Sequence, residues 1–468
     1  MDKKRSYNQK NKYQNQRLRV GDTIPLKIKR LGINGEGIGY FQRTICFIKG
    51  ALPGEQVIAK ITDIKPRFII GETAKIKMVS PDRVEPRDSF ANNVGGFELE
   101  HLSYAAQLEF KRDVIKQSLA KFRPEGYKQF DLRPTIGMDD PTGYRNKAQF
   151  QVRRLDGKVL AGMYTEGSHD LVDLPEVSVQ HPLTMQIMRF IVDLLDKYSV
   201  SVYNERKNIG DVKTIIVRVA VETNQAQVVF VTNSTKLPYR DEMVEDLQAK
   251  FPEIKSIMQN INSGRNSLIW GDNTQNIAGD SFITEKMDGL SFKLSARAFF
   301  QLNPYQTVKL YNEARKALEL SDNDNLVDAY SGVGTIGLSL AKKAKEVRGM
   351  DTIAEAVEDA NENAKLNGID NAHYETGAAE KLLPKWLQEG FKPDSLVVDP
   401  PRVGLEGRLI QAILTSLPKH FVYISCNPST LARDLVPLVE KYRVEYIQSI
   451  DMFPETARVE AVVKLTLK

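Results

Sequence analysis

Alternation of apolar and polar positions predicts a small β-barrel near the N-terminus. Between residues 20 and 80, short apolar runs are separated by turn residues such as Gly32, Asn34-Gly35, Gly50 and Pro53-Gly54. The runs are Thr23–Arg30, Gly37–Phe41, Thr44–Ile48, Glu55–Ile64 and Phe68–Met78. Short strands at this spacing are typical of a barrel of the oligonucleotide-binding (OB) type. Cys46 lies inside the apolar run Ile45–Ile48, so we expect it in the barrel core.

The next 200 residues mix helical and strand periodicity. Residues 101–123 show helical spacing of apolar positions, and further helices are predicted near 181–198 and 239–250. The predicted strands are Lys147–Arg154, Val159–Tyr164, Thr214–Val221 and Gln227–Thr232. This pattern predicts a central α+β region.

From about residue 290 onward the chain alternates between strand and helix patterns, which predicts a parallel, doubly wound sheet. Its predicted strands are Leu326–Tyr330, Glu346–Asp351, Leu396–Asp399 and Phe421–Cys426. The chain closes with two strand-like runs, Val444–Met452 and Val459–Leu467. Since only a few residues join them, we expect these two runs to pair antiparallel.

Composition narrows the class of protein. The length of 468 residues suggests about three domains, and 41% hydrophobic residues suffice for real cores. Two distant cysteines exclude a disulfide framework and any four-cysteine metal site, and they favour a reducing cytoplasm. We find no signal peptide and no apolar run long enough to span a membrane.

Positive charge is spread unevenly, although the net charge is only +5. Residues 1–19 form a basic tail that we expect to be disordered alone, and that either follows phosphates or is merely solvated. The barrel carries further basic residues: Lys27, Lys29, Arg30, Lys49, Lys60, Lys65 and Arg67. This distribution favours a nucleic-acid ligand.

Cys426 occupies a junction between a predicted strand and a predicted helix. Free backbone N–H groups and the positive end of a helix dipole lie at such a junction, so we expect its thiolate to be favoured. The alternative is a buried structural cysteine.

Other polar residues follow the neighbouring strands. After one strand comes the loop Tyr330-Ser331-Gly332-Val333-Gly334, and Gly337 completes a G-x-G-x-x-G spacing. Asp351, at the end of the next strand, is placed to accept hydrogen bonds from ribose hydroxyls. The glycine loop and Asp351 together predict a cofactor that contains adenosine. They do not decide between a nicotinamide cofactor and S-adenosylmethionine.

Three further motifs complete the pattern. Asp399-Pro400-Pro401-Arg402 places a rigid carboxylate at the edge shared with Cys426. Phe299-Phe300-Gln301 offers an aromatic face and an amide, and Glu460 begins the final strand.

Together, Ser295–Asn303, the glycine loop, Asp399–Arg402, Ser425–Pro428 and Val459-Glu460 resemble the RNA uracil-5-methyltransferase family. The resemblance covers nearly all of residues 20–468 and is greatest to Gram-positive-type 23S ribosomal-RNA enzymes. It implies a C-terminal Rossmann-like class I methyltransferase domain (101–123 and 291–468). It also implies a TRAM barrel (20–80) and a central α+β RNA-binding domain (81–100 and 124–290).

The resemblance also implies roles for individual residues. Cys426 matches the nucleophile that adds to uracil C6, and Glu460 matches the general base. The positions that bind S-adenosylmethionine are Gln301, Tyr330, Gly332, Gly334, Asp351 and Asp399. Substrate binding is assigned to Phe299, Phe300 and Arg402.

Departures from the family pattern matter as well. Residues 88–97 contain no cysteine where several relatives hold an iron–sulfur cluster, so we expect no cluster and no metal. Arg402 stands where amine-directed methyltransferases carry an aromatic residue, which counts against methylation of an exocyclic amine.

The resemblance implies methylation of 23S ribosomal RNA by a cytoplasmic monomer that has no membrane partner. Three rivals stay open. They are a transfer-RNA substrate, a dehydrogenase that binds NAD at the glycine loop, and a non-catalytic RNA-binding protein of ribosome assembly.

Overall fold

Residues 18–265 and 268–468 are described in the computed structural model of the protein. Of the predicted basic tail, residues 1–17 lie outside the described residues. Contacts within the chain separate two units. The first contains the residues up to Phe110 together with Glu455–Ala457, and the second contains Lys111–Pro454 and Arg458–Lys468.

The first unit contains the predicted barrel. Its strands are β1 Thr23–Lys27, β2 Arg30–Leu31, β3 Gly37–Phe41, β4 Thr44–Lys49, β5 Gln56–Ile64 and β6 Phe68–Met78. They pair in the order β1-β5-β6-β4-β3-β2. Alternate residues point inward, as Ile24 and Leu26 do in β1, and Cys46 is fully buried among them. The core position of Cys46 and four of the predicted strands are confirmed, whereas the predicted run Thr23–Arg30 is divided between β1 and β2.

Residues 81–100 differ from the expectation. We assigned them to the central domain, but they belong to the first unit with the barrel. Arg83 explains part of this grouping, because its Nε donates to the buried Glu55 carboxylate of the barrel at 2.6 Å. A charge pair distant in sequence leaves no periodic signal.

Helix α1, Tyr104–Phe122, follows, and the division between the units falls within it. In its second-unit part, every third or fourth side chain is buried: Lys111, Val114, Ile115, Ser118 and Leu119. A short 3₁₀ helix, Tyr127–Gln129, comes after it.

The central region forms a seven-stranded sheet within the second unit. In spatial order its strands are β10 Leu171–Asp173, β9 Lys158–Tyr164, β8 Lys147–Leu155, β11 Val212–Ala220, β12 Gln225–Thr232, β13 Ile254–Ile261 and β14 Asn273–Gly279. Its helices are α2 Pro182–Lys197 and α3 Arg240–Lys250. The hairpin β15 Phe282–Met287 and β16 Leu290–Ser295 forms a separate two-stranded sheet.

An eight-stranded sheet forms the C-terminal part of the second unit. In spatial order its strands are β19 Ala372–Thr376, β18 Glu346–Asp351, β17 Asn325–Ala329, β20 Ser395–Val398, β21 His420–Ser425, β23 Glu460–Leu467, β22 Tyr442–Ile450 and β7 Leu132–Ile136. The helices are α4 Pro304–Leu318, α5 Thr335–Leu340, α6 Ala354–Leu366, α7 Ala379–Gln388, α8 Gly407–Ser416 and α9 Pro428–Leu438, with a 3₁₀ turn at Ala341–Lys343.

Strands β17 to β21 are parallel, and β23 pairs antiparallel with both β21 and β22. The Rossmann-like sheet and the antiparallel closing pair are therefore confirmed. Strand β7 lies in the range that we assigned to the central domain, yet it pairs with β22 of this sheet. A five-residue strand whose partner follows about 300 residues later cannot be paired from periodicity alone.

Candidate active site

The carboxyl ends of the parallel strands bring four predicted site residues to one edge of the sheet. They are Tyr330 after β17, Asp351 at the end of β18, Asp399 after β20 and Cys426 after β21. The register explains the alignment, because Ala329 pairs with Val398 and Val398 pairs with Tyr423. Ligands of open α/β sheets bind at this edge.

The glycine loop wraps tightly around the end of β17. Tyr330, Gly332 and Gly334 all have positive φ, at 66°, 53° and 83°. The Gly332 N–H donates to the Asp351 carboxylate at 3.0 Å, which ties the loop to the next strand. A Cβ at Gly334 would lie 3.0 Å from the Tyr374 ring, so this position has both steric and conformational reasons to be glycine.

Unsatisfied polar atoms beside the loop fit a bound adenosine-bearing molecule. Asp328 Oδ1 and Ser331 Oγ are buried and have no hydrogen-bond partner. Burying such atoms without a partner costs about 1–3 kcal/mol each, which a polar ligand at the edge can offset. The half-buried Asp351 and Gln301 add an acceptor and an amide.

Cys426 lies between β21 and α9. Asn427 caps α9, since its side chain accepts a hydrogen bond from the Ser429 N–H at 3.0 Å. The Cys426 Sγ lies 3.9 Å from the Pro400 carbonyl oxygen of the Asp-Pro-Pro-Arg loop. The thiol is partly exposed, so a substrate can reach it.

The expectation that this junction favours the thiolate is wrong for the free protein. Burial, followed by the carboxylates of Glu460 and Asp399, raises the pKa of the Cys426 thiol from 9.0 to about 12. Arg402 and a backbone hydrogen bond oppose this rise in pKa. Burial of the thiol, with the added effect of the two nearby acids, outweighs the local helix terminus.

Glu460 faces Cys426 through the strand register. Ser425 pairs with Ala461 in the antiparallel ladder of β21 and β23, so Cys426 and Glu460 occupy the next opposed positions. Glu460 is 8% exposed. Burial and then Asp399 raise its pKa well above the ordinary value, while Arg402 and Lys111 act in the opposite direction.

Asp399 is the second acid of the site. Burial and then Asp328 raise its pKa to about 7. The ionised form of Asp399 disfavours the ionised form of Glu460, so the two carboxyl groups do not titrate independently.

Arg402 lies exposed on a loop that α9 holds in place. Asn427 Nδ2 donates to the Arg402 carbonyl oxygen at 2.8 Å, and Arg433 donates to the Val403 carbonyl at 2.8 Å. With its backbone fixed, the Arg402 guanidinium stays available as the cation that lowers the pKa of both Cys426 and Glu460.

The two phenylalanines of the aromatic motif have different environments. Phe299 is 62% exposed, whereas Phe300 is 4% exposed and packs against Phe292 in the core. The substrate-binding assignment of Phe300 is therefore corrected to a core role. The burial of Phe300 leaves Phe299 as the one of the two that can face a ligand.

Buried polar groups of the central sheet hold this segment. Arg218 of β11 donates to the Ala298 carbonyl oxygen at 2.7 Å. Asn146 donates from its backbone N–H to Leu302 at 2.9 Å and from its amide to Gln301 at 3.3 Å. Both side chains are buried, so the loop that carries Phe299 and Gln301 has a rigid support.

Sequence reasoning missed the role of Lys111. This residue is fully buried, forms an ion pair with the buried Asp451 and donates to the Phe453 carbonyl at 2.8 Å. Lys111 lies in the apolar stripe of α1. A charged residue at such a position was the only sequence signal that it has a special role. Since Lys111 also acts on the Glu460 pKa, it belongs to the surroundings of the site.

The described part of the chain contains neither a metal-binding cluster nor a membrane-spanning helix. Within residues 18–265 and 268–468, no three His, Cys, Asp or Glu side chains are grouped so that they could hold a metal ion. No helix in that part of the chain is long and apolar enough to cross a membrane. That the protein lacks an iron–sulfur cluster stays a prediction.

Two family models match the chain. The model described as tRNA (uracil-5-)-methyltransferase covers residues 103–468. The TRAM domain model covers residues 17–74, which contain most of the barrel.

Whole-chain relatives agree with these models. A Lactiplantibacillus plantarum protein described as an uncharacterized RNA methyltransferase is 61% identical over 449 residues, covering 96% of this chain and 93% of that protein. An Enterococcus faecalis protein of the same description is 54% identical over 97% of this chain and 99% of its own length. The crystal structure of Pyrococcus abyssi tRNA (uracil-54, C5)-methyltransferase with S-adenosyl-L-homocysteine is 28% identical, has a TM-score of 0.75, and covers 95% of this chain and 100% of that one.

Proposed function

Since this chain belongs to the tRNA (uracil-5-)-methyltransferase family of S-adenosylmethionine-dependent RNA methyltransferases, we propose that it methylates carbon 5 of specific uridines in 23S ribosomal RNA. The observation that carries the proposal is the meeting of the Cys426 thiol, the buried Glu460 carboxyl and the partly buried Asp399 carboxyl at one sheet edge. A site that only bound RNA would need neither the thiol nor the acids.

Cys426 acts as the nucleophile. Its thiol first loses its proton to water, the thiolate sulfur then forms a bond to uracil C6, and the electrons of the C5–C6 double bond move onto C5 and O4. The step turns a poorly nucleophilic carbon into an enolate carbon. Because the free thiol is protonated at neutral pH, substrate binding has to lower its pKa, and Arg402 is the cation already placed to help.

Glu460 acts as the general base. After methylation it accepts the C5 proton, the double bond re-forms and Cys426 leaves. Its raised pKa makes it a stronger base once it is ionised, and Lys111 and Arg402 favour that ionised form. Asp399 interacts electrostatically with Glu460, so the protonation states of the two carboxyl groups depend on each other.

The edge residues hold the cofactor. S-adenosylmethionine supplies an electrophilic methyl group when bound. Tyr330, Gly332, Gly334 and Asp351 form the cradle, and Gln301 and Asp399 complete it on the side of the reacting base. The unpartnered Asp328 Oδ1 and Ser331 Oγ support this assignment.

Substrate recognition needs a uridine outside any helix. An exposed aromatic ring such as Phe299 can stack on an unpaired base, and Arg402 can contact a phosphate. We propose that the protein acts as a monomer in the cytoplasm, and light scattering of the purified protein tests the oligomeric state.

The choice of ribosomal RNA rests on the barrel, which resembles the TRAM domain of the family's ribosomal-RNA members. Transfer RNA is the second candidate. The specific observation in its favour is the full-length match to the Pyrococcus abyssi transfer-RNA enzyme.

A methylation assay on both RNAs tests the proposal. Protein and labelled S-adenosylmethionine are incubated with 23S ribosomal RNA and with transfer RNA, both from a strain that lacks this gene. We expect 5-methyluridine in 23S RNA with wild-type protein and with Cys46→Ala, and none with Cys426→Ala. Product in transfer RNA alone would move the substrate to the second candidate. Product from Cys426→Ala would rule out the covalent mechanism.

A further inference from the structure

A cavity of about 580 Å³ opens on the seven-stranded central sheet. Its charged and aromatic lining residues are Arg153, Tyr164, Tyr203, Glu205, Lys213 and Arg265. Arg153 lies seven residues along β8 from Asn146, which holds the Gln301 loop. At about 3.3 Å per residue, the cavity lies roughly 20 Å along the strand from that loop.

Positive charge dominates the cavity. Arg153, Lys213 and Arg265 face a single carboxylate, Glu205, which leaves an excess of two positive charges if His169 at the rim is neutral. Within the described residues, neither Arg153 nor Lys213 is within 4.0 Å of any carboxylate oxygen. Glu205 instead pairs with His169 at 3.3 Å, and both of those side chains are largely exposed.

Lys213 is the most informative of these cations, because it is only 9% exposed. Its ammonium donates to the carbonyls of Asn262 and Gly264 at 2.8 and 2.9 Å, which uses two of its three N–H groups. A buried ammonium without a counter-charge is costly, so its third N–H and its charge favour an anionic ligand.

Two tyrosine rings lie between the cations. The Lys213 Nζ lies 4.3 Å from the centroid of the Tyr203 ring. The Arg153 guanidinium lies 5.5 Å from the centroids of both Tyr164 and Tyr203, and it also donates to the Tyr164 hydroxyl. Cations for the phosphate and rings for the base are the combination that single-stranded nucleic acids require.

We propose that this cavity binds one nucleotide of the RNA substrate, distinct from the uridine that is methylated. Arg153 and Lys213 contact its phosphate, and its base stacks on a tyrosine ring. The volume falls in the usual range of small-ligand sites. The proposal rests on the proposed function in one respect, since it takes RNA as the substrate.

Neighbouring arginines on β8 provide a matched test. Arg153→Gln removes a cation from the cavity, while Arg154→Gln removes one from an exposed position that points to the opposite face of the sheet and pairs with Asp196 at 2.7 Å. Binding of a labelled 23S RNA fragment to the full-length protein is measured by fluorescence anisotropy at several salt concentrations. We expect Arg153→Gln to weaken binding about tenfold and to reduce the salt slope by about 0.7, and Arg154→Gln to stay within about twofold.

A second variant keeps the proposal testable if Arg153→Gln does not fold. Tyr164→Leu is expected to weaken RNA binding about tenfold without a change in salt slope, because stacking is not electrostatic. Equal thermal melting and equal S-adenosylhomocysteine affinity show that both variants are folded. If both folded variants bound RNA as Arg154→Gln does, the proposal would be overturned. Tight binding of free uridine monophosphate, with RNA affinity unchanged by either variant, would overturn it too.

Failure of this proposal is distinguishable from failure of the proposed function. The anisotropy measurement needs no turnover, so it reports on the cavity even if no methyl transfer occurs. Methyl transfer by the wild-type protein together with equal RNA affinity of Arg153→Gln and Arg154→Gln would overturn the cavity and keep the proposed function. Weaker RNA binding by Arg153→Gln without any methyl transfer by the wild-type protein would do the reverse.

Discussion

The two cysteines of the chain occupy regions that differ in what surrounds the sulfur. Cys46 is fully buried in the barrel core, where burial is the leading cause that raises its pKa and its thiol contacts the Thr44 carbonyl at 3.6 Å. Cys426 has a raised pKa as well, but two carboxyl groups add to the effect of burial and Arg402 opposes it.

The two cysteines differ in whether a bound ligand can change the surroundings of the sulfur. Nothing that binds at a surface alters the apolar surroundings of Cys46. At Cys426 the nearby charged groups include the exposed Arg402 and the partly exposed Asp399, so a bound substrate can neutralise or displace them. Under the proposed mechanism, Cys426 therefore becomes reactive only in the complex with its substrate, and each prediction below changes one group in this comparison.

The largest expected effect comes from Glu460→Gln. Loss of the base stops removal of the C5 proton, so turnover should fall by about 10²–10⁴. The methylated RNA should stay attached to Cys426 and appear as a slow band on a denaturing gel. Glu445→Gln, a change of the same kind on the neighbouring strand β22, serves as the control and should keep wild-type turnover. Normal turnover by Glu460→Gln would assign the base elsewhere.

The rate of alkylation of the free protein reports directly how much reactive thiolate each cysteine provides. With a pKa of about 12 instead of 9.0, Cys426 should hold about a thousandfold less thiolate at pH 7 than an ordinary cysteine. Its rate with iodoacetamide, followed by mass spectrometry of its peptide, should rise about tenfold per pH unit from pH 7 to 10. Arg402→Gln should slow it further, since Arg402 favours the thiolate, and Cys46 should not react. A plateau below pH 8 would contradict these charges.

Lys111→Met tests whether Lys111 favours the ionised form of Glu460. It leaves Asp451 as a buried unpaired acid and should cost about 3–5 kcal/mol in the free energy of unfolding. The double variant Lys111→Met/Asp451→Leu should recover much of that stability in a denaturant titration. Because Lys111 lowers the Glu460 pKa, the acid limb of the pH–rate profile of the double variant should still move to higher pH. An unmoved limb would limit Lys111 to a structural role.

The smallest expected effects concern Phe299 and Phe300, whose substitutions should change different quantities. Phe299→Leu should raise the KM for RNA about tenfold through lost stacking and leave thermal stability unchanged. Phe300→Leu should lower stability by about 1–2 kcal/mol, since it removes volume from a packed core. The reverse pattern in melting curves and kinetics would reverse their roles.

The strand ends of the catalytic sheet could be read from the sequence because each follows an apolar run. Leu326–Tyr330, Glu346–Asp351 and the closing antiparallel pair were predicted within two residues of their observed bounds. The common edge followed from parallel pairing alone. Local patterns also predicted the barrel, since its turns and its alternation are both local.

Features set by distant neighbours could not be read in this way. The partner of β7, the ion pair of Lys111 with Asp451 and the burial of Phe300 depend on which segments meet in space. The expectation of a favoured thiolate was wrong for the same reason, since the sequence shows the helix start beside Cys426 but not the burial of the thiol or its closeness to the Glu460 carboxyl group.

Covalent trapping tests the central claim most directly. In an RNA whose target uridine is replaced by 5-fluorouridine, the C5 substituent cannot leave as a cation, so the adduct cannot resolve. Incubation with S-adenosylmethionine, digestion and mass spectrometry should give one peptide, containing Cys426, that carries the methylated nucleotide. Turnover of ordinary RNA without any such adduct, or an adduct on another residue, would contradict nucleophilic catalysis by Cys426.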